Sequence, residues 1–382
     1  MDNLFKEVNR KKTGAIKWDY QANLDNIPFW IADSDYSSAP CVLEELQNVS
    51  KHGAYGYNGI PKEFNEAVVK WYDRRYGCKL NNDWIISSTG VILELRVLLD
   101  VLTEVGDGII LQTPVYHTFH HLINGMDRKI IENKLIKTND TYVMDYDNLE
   151  ELFKKGYKVL ILCSPHNPVG RIWHYEEIEK VVMLAKKYNV FVVFDEIHSD
   201  LNITKRKFVS GGMFVNLYDN IAICNAPSKA FNLAGLHTSY IIIPNADLRK
   251  LYVERTDKEF LNHPSVFGYR SMIAAYTNGE EWINAQNEHL LNNYNYLKTY
   301  LNKELPEVIV TLLEGTYLVW LDFSYTKLTT DELLTKCSNG GVTCSGGVNF
   351  GSDYESYLRF NIACSFEQLQ KGLELLVKAF KS

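Results

Sequence analysis

Three side chains, each just beyond the end of an apolar run, carry the chemistry that this chain displays most openly. Lys229 follows the run Ile221 to Cys224 inside NAPSKAFNLAGL, where small and apolar residues leave its ammonium few solvated positions. Desolvation lowers a lysine pKa and makes the amine usable as nucleophile and base. An isolated Ser-Lys pair is more often an ordinary solvated loop, and it is the company of Lys229 that changes the reading. Tyr157 to Cys163 runs into SPHNPVG, which supplies Asn167, and Tyr188 to Phe194 runs into DEIHSD, which supplies Asp195. Such unbroken apolar runs predict strands of a parallel sheet buried on both faces. In open α/β sheets ligands sit at the carboxyl edge of the strands, so one crevice can receive all three residues.

A lysine able to bond an aldehyde, a carboxylate able to keep a ring nitrogen protonated and an amide able to donate to a phenolate oxygen are what pyridoxal 5'-phosphate (PLP) requires. On these residues the sequence resembles the fold type I PLP enzymes of the class I/II aminotransferase superfamily. Within it the chain is similar to the MalY/PatB group of cystathionine β-lyases, or cysteine-S-conjugate C-S lyases. The resemblance covers nearly the whole chain, with the separated segments in the expected order. It implies an α/β fold with a large domain, whose mostly parallel sheet lies between helices, and a smaller α/β domain. The expected division is an arm over 1–45 that belongs partly to the small domain, a large PLP-binding domain over 46–280 and a small domain over 281–382.

Other segments gain a role beside this core. WIISSTGVILELRVLLDVL reads as a strand, a small-residue turn and a long helix, and a helix N-terminus with Ser88, Thr89 and Gly90 is a ready anion site. The resemblance assigns the cofactor phosphate to Thr89, Gly90 and Val91, with Ser228 next to the lysine in the same cofactor-binding set. Tyr116, after Pro114 at a predicted sheet edge, is either a core tyrosine or a rigid ring that stacks on a pyridine. In IPFWIADSDYSSAP, Trp30 fits packing and ligand contact equally well; by resemblance Trp30 and Ala32 line the substrate side. The loop Gly53 to Pro61 offers Tyr55 and Tyr57. The resemblance implies a tyrosine that crosses a dimer interface to the second subunit's phosphate, with Tyr57 favoured for it and Tyr55 placed on the substrate side. His198 stands where many aminotransferases carry a tyrosine, and the MalY-like enzymes share a histidine there. His237, eight positions after the lysine, replaces the cation common in the superfamily. Arg359, in the apolar segment YLRFNIACS, either pairs internally with Asp322 or Glu355 or awaits a carboxylate, which its fork fits in two parallel hydrogen bonds. By resemblance it binds the substrate α-carboxylate, although Ser365-Phe366 follows where the family usually has Pro-Arg.

Composition is that of a globular chain: 382 residues, 46% hydrophobic, with net charge −7. That balance disfavours nucleic acid or an anionic membrane as partner. The start MDNLFKEVNRKK lacks an apolar stretch of signal-peptide length and no run of about eighteen apolar residues occurs, so a cytoplasmic protein is expected. The seven cysteines are scattered without C-x-x-C spacing, and Cys163 and Cys224 read as core hydrophobes. His117 and His121 would share a helix face, yet no carboxylate or cysteine completes a metal set, so no metal is expected. The implied function is PLP-dependent β-cleavage of L-cystathionine or a cysteine S-conjugate to thiol, pyruvate and ammonia, in a homodimer with shared sites. The alternatives are an amino-acid aminotransferase and a PLP-binding regulatory protein of MalY type.

Overall fold

In the central sheet, three inner strands are runs of Val, Ile, Leu, Phe, Ala and Cys, two of them closed by Asp195 and Asn225, and bury both faces. The computed structural model describes residues 7–261 and 263–381. Among these, seven strands make that sheet, in the spatial order Ile85–Ser88, Ser239–Ile242, Ile221–Asn225, Phe191–Asp195, Val159–Cys163, Gly108–Leu111 and Lys129–Glu132. Neighbours are parallel except around Ser239–Ile242, which runs antiparallel to both strands beside it. The β-branched and apolar side chains alternate between two cores. Val159, Ile161 and Cys163 face helices Val91–Leu102, His117–Gly125 and Ala246–Lys258, whereas Leu160 and Leu162 face Lys62–Tyr76 and Tyr175–Tyr188. This is the fold type I layering expected from the sequence.

Helix Tyr175–Tyr188 is the crossover between the strands that end at Cys163 and Asp195, and it buries Ile178, Val181, Val182 and Ala185. Its start is fixed by a capping box between His174 and Glu177, and it ends on Asn189 at φ 54°, a left-handed position that asparagine tolerates. Phe64, Val68, Trp71 and Tyr72, at helical spacing in the sequence, all lie inward on Lys62–Tyr76, which stops at Gly77 with φ 72°.

A second, antiparallel sheet orders Ile309–Val310, Leu318–Asp322, Tyr357–Asn361 and Ser345–Gly346, and places Arg359 opposite Trp320. The chain's beginning joins this unit: Ile27–Pro28 pairs in parallel with Val342–Thr343, and Phe29 stacks on Phe360 at 4.1 Å. Beneath the segment that follows lies a cluster of buried charge. Lys17, with no exposed surface, holds Asp35 at 2.8 Å; Trp18 Nε1 and Gln368 Nε2 also donate to Asp35, at 2.8 and 3.1 Å; and Arg10 pairs with Asp33 at 2.8 Å. The cluster fixes the stretch from Trp30 to Tyr36 against the mouth of the central sheet.

Candidate active site

Register brings Cys163, Asp195 and Cys224 side by side at the carboxyl edge of the three central strands. A cavity of about 210 Å³ opens above them. Its walls include Ala32, Thr89, Gly90, Val91, Tyr116, Asn167, Asp195, His198, Ser228 and Lys229, so side chains from widely separated segments meet there.

Lys229 sits in the turn after Ile221–Asn225, and its Nζ donates to the carbonyl of Ala32 at 2.8 Å. Burial pushes its pKa down to about 8; Arg359 acts in the same direction, against Asp33 and Asp195. Asp195 closes its strand with 3% of its surface exposed, accepts from Ile197 N at 3.1 Å and is pushed up to about 6 by burial. No described cation lies within ion-pair distance of it. His198, also 3% exposed, is held neutral by burial and by the nearby Lys229 and Arg359 cations; its Nδ1 has no partner and its ring meets Tyr317 edge-on at 6.0 Å.

At the other end of the cavity, Gly90 caps helix Val91–Leu102 without any side-chain cap, so the first-turn N–H groups lack intrahelical partners. A Cβ built on Gly90 would meet nothing within 4 Å, which leaves the backbone open to a ligand. Ser228, Thr238 and His237 complete this end, His237 being exposed and left-handed at φ 48°.

Arg359 settles the choice left open by the sequence. It is 3% exposed and forms no ion pair with any described carboxylate. Asp322 is taken by Lys137, and Glu355 accepts from Thr330 N at 3.0 Å. The guanidinium instead donates from Nη1 to Asn167 Oδ1 at 3.2 Å and from Nη2 to the Trp30 carbonyl at 2.8 Å and Ser345 Oγ at 3.3 Å, while Nε has no partner. Its carbon lies 4.8 Å from the centre of Phe350, and burial pushes its pKa down to about 10. A buried cation bound only to neutral acceptors is a standing receptor for an anion.

Trp30 therefore touches the site through its carbonyl, while its own Nε1 donates to Lys17 O at 3.0 Å. Tyr55 and Tyr57 are not brought to this cavity. They lie in the exposed stretch 51–59, Tyr57 wholly open at 112% and Tyr55 hydrogen-bonded to Ser50 O at 3.0 Å. The rings of His117 and His121 stand 6.1 Å apart, and His117 packs on Phe350 at 5.7 Å, beside Arg359. The cavity also takes Ile92, Cys163, Ile197, Ala226, Ala234 and Thr238, which sequence reasoning missed. Cys163 is buried in the core as expected, and it also borders the cavity. Most of these flank a predicted strand end or turn, and that position was the available signal.

Comparison with known proteins agrees with this geometry. Residues 27–376 match the family "Aminotransferase class I and II". The chain is 34% identical over 387 residues to cystathionine beta-lyase PatB of Bacillus subtilis, covering 99% of each. Among solved structures, a PLP-bound putative aminotransferase from Clostridium difficile superposes with TM-score 0.96 at 35% identity, covering 99% of both chains. The PLP-bound C-S lyase of Staphylococcus hominis superposes with TM-score 0.92 at 29% identity, covering 99% of this chain and 97% of that one. With a family match over residues 27–376 and a relative 34% identical along nearly the whole length, the chain belongs to the class I and II aminotransferase family.

Proposed function

We propose that this protein is a PLP-dependent carbon-sulfur β-lyase, cleaving L-cystathionine or a cysteine S-conjugate to a thiol, pyruvate and ammonia. The observation that carries the proposal is the meeting of Lys229, Asp195 and Asn167 with an unpaired Arg359, in a chain 34% identical to a cystathionine β-lyase along its length. The residues present fit the cofactor. Asp195 is a buried carboxylate without a cation, His198 keeps a buried nitrogen unpartnered, and the helix at Gly90 presents uncapped donors.

PLP, when bound, supplies an electron sink for the bonds at Cα. The chain's own residues do the rest. Thr89, Gly90, Val91 and Ser228 hold the phosphate with hydroxyl and backbone donors at a positive helix end. With PLP bound, Tyr116 would pack on the ring and Asp195 would keep the ring nitrogen protonated, a cation there drawing the Asp195 pKa back down. Asn167 uses Oδ1 on Arg359 and would have its amide N–H groups left for the phenolate oxygen, with His198 also in the cavity. Arg359 takes the substrate α-carboxylate with its free Nε and an Nη, in the two-bond geometry of its fork. Lys229 lines the same cavity, and an amine pushed down to about 8 would be neutral often enough near pH 7 to remove the Cα proton. A thiol, with pKa near ~8.5, then departs from Cβ as thiolate without needing a strong acid.

The same reading places the protein in the cytoplasm as a homodimer. Tyr57 serves the phosphate, and Tyr55 the substrate side, of a second copy. What supports this is that both tyrosines lie in an exposed stretch, outside the cavity of their own chain. It also divides the chain into the arm 1–45, the cofactor domain 46–280 and the small domain 281–382, in keeping with the pairing of Ile27–Pro28 to Val342–Thr343. The test is a visible spectrum of the purified protein before and after L-cystathionine, with thiol measured in the same sample. A yellow protein that releases thiol supports the proposal; a protein that stays colourless after added PLP overturns it.

A further inference from the structure

Glu94 is a carboxyl group in an unusual place. It lies in the first turn of helix Val91–Leu102, one turn below Gly90, to whose carbonyl its backbone N–H donates at 3.1 Å. An acidic residue there ordinarily faces water and complements the positive helix end. Glu94 instead turns inward, on the side of Val91, Leu95 and Leu98, with none of its surface exposed and no ion-pair partner among the described residues. The Ser239 hydroxyl and the Cys224 thiol from the sheet approach its carboxyl, with Tyr252 from helix Ala246–Lys258 and the Asp195 carboxylate further off. None of these groups is a cation. An ionised Glu94 would be a bare charge in an apolar layer, directly behind the turn that presents donors to an anion.

We propose that Glu94 is a positioning residue for the phosphate cradle: it is held as the neutral acid, and its proton must be retained for the turn at Thr89, Gly90 and Val91 to bind a phosphate dianion at full strength. The inference rests on the PLP reading above. Its physical basis is linkage. A negative charge one turn inside the helix opposes the field that the helix end offers to an anion, so anion binding and Glu94 ionisation disfavour each other equally. Burial pushes the Glu94 pKa up to about 8, with Asp195 adding to the rise and Ser239 and Cys224 opposing it, so the neutral form is the resting one near pH 7. A carboxyl raised from its unfolded value near ~4.3 destabilises the folded state progressively as pH climbs from that value toward the folded one.

The test uses the full-length protein freed of cofactor and titrated with pyridoxamine 5'-phosphate, which carries the phosphate and ring but no aldehyde to bond Lys229. Affinities are measured from about pH 6.5 to about pH 9.5 for wild type and Glu94→Gln, whose amide cannot ionise. The wild type should weaken relative to Glu94→Gln across this range, by about tenfold for each pKa unit of coupling. Parallel profiles for the two proteins overturn the role of Glu94 while leaving the cradle standing. Failure of both to bind at any pH overturns the cradle itself, and the inference with it. Thermal melting of the cofactor-free proteins supplies a readout free of ligand: the wild-type midpoint should drop relative to Glu94→Gln between about pH 5 and about pH 8. A constant offset contradicts a neutral buried Glu94. Glu94→Leu, which should melt no lower than wild type at about pH 8, checks that a folding defect is not the cause.

Discussion

Two of the regions that bury charge in this protein treat it in opposite ways. Under the N-terminal segment, Lys17 and Arg10 pair with Asp35 and Asp33, and Asp35 accepts from Lys17, Trp18 and Gln368. At the cavity, among the described residues, Asp195 has no cation at ion-pair distance, Arg359 leaves Nε unpaired and His198 leaves Nδ1 unpaired. Burying an unpaired charge is costly, so a fold that keeps several together requires something that later completes them. The closed cluster therefore reads as architecture and the open one as a receptor. The contrast also explains why the two adjoin: Ala32, whose carbonyl holds Lys229, and Trp30, whose carbonyl holds Arg359, are part of the strip that the closed cluster immobilises.

Substitutions can break this contrast. Lys229→Ala should have the largest effect, lowering turnover by more than about 10⁴-fold because base and covalent anchor are lost together, with melting of the cofactor-free protein little changed. Pyruvate release and a melting curve measure the two sides. Asp35→Asn should do the reverse: it strands Lys17 and costs roughly 3–5 kcal/mol of stability, read by urea unfolding without cofactor. If Asp35→Asn leaves stability unchanged, the cluster is not architectural. Arg359→Met should lower kcat/KM by about 2–5 kcal/mol in transition-state binding, chiefly through KM, yet leave the cofactor-free fold as stable or more so. A loss of stability instead would show that Arg359 is part of the frame.

The smallest effect is a pH dependence. Asp195 is pushed up to about 6 when no cation faces it, so the cofactor-free protein should lose stability as pH rises from about 4 to about 6, by roughly 2–3 kcal/mol at most. Asp195→Asn should make that slope shallower by the Asp195 share, leaving the share of Glu94, and PLP, by placing a cation opposite Asp195, should do the same. Urea unfolding across that interval, with and without PLP, checks the sign.

Much of the receptor was legible before the fold. Asn167, Asp195 and Lys229 follow uninterrupted apolar strands, and a parallel sheet gathers its strand ends at one edge whatever their separation in sequence. Arg359 was legible only as a choice, because sequence does not say which carboxylate a strand arginine faces; the structure commits Asp322 to Lys137 and so decides it. Cys163 is core as its apolar strand predicts, and only the packed fold shows that the end of that strand also borders the cavity. Glu94 was invisible for a related reason. A glutamate in a first helical turn looks like a surface residue until Ala246–Lys258 is packed over it. Tyr55 and Tyr57 were chosen by resemblance, and the fold of one chain gives them no contact with the site.

The measurement that bears most directly on the central claim is stoichiometry without a second substrate. The PLP-loaded protein, given L-cystathionine and no 2-oxo acid, should release homocysteine, pyruvate and ammonia in equal amounts over many turnovers, since β-cleavage regenerates the cofactor by itself. Release of no thiol, with conversion only when a 2-oxo acid is added, would contradict the lyase assignment and make the same constellation that of a transaminase.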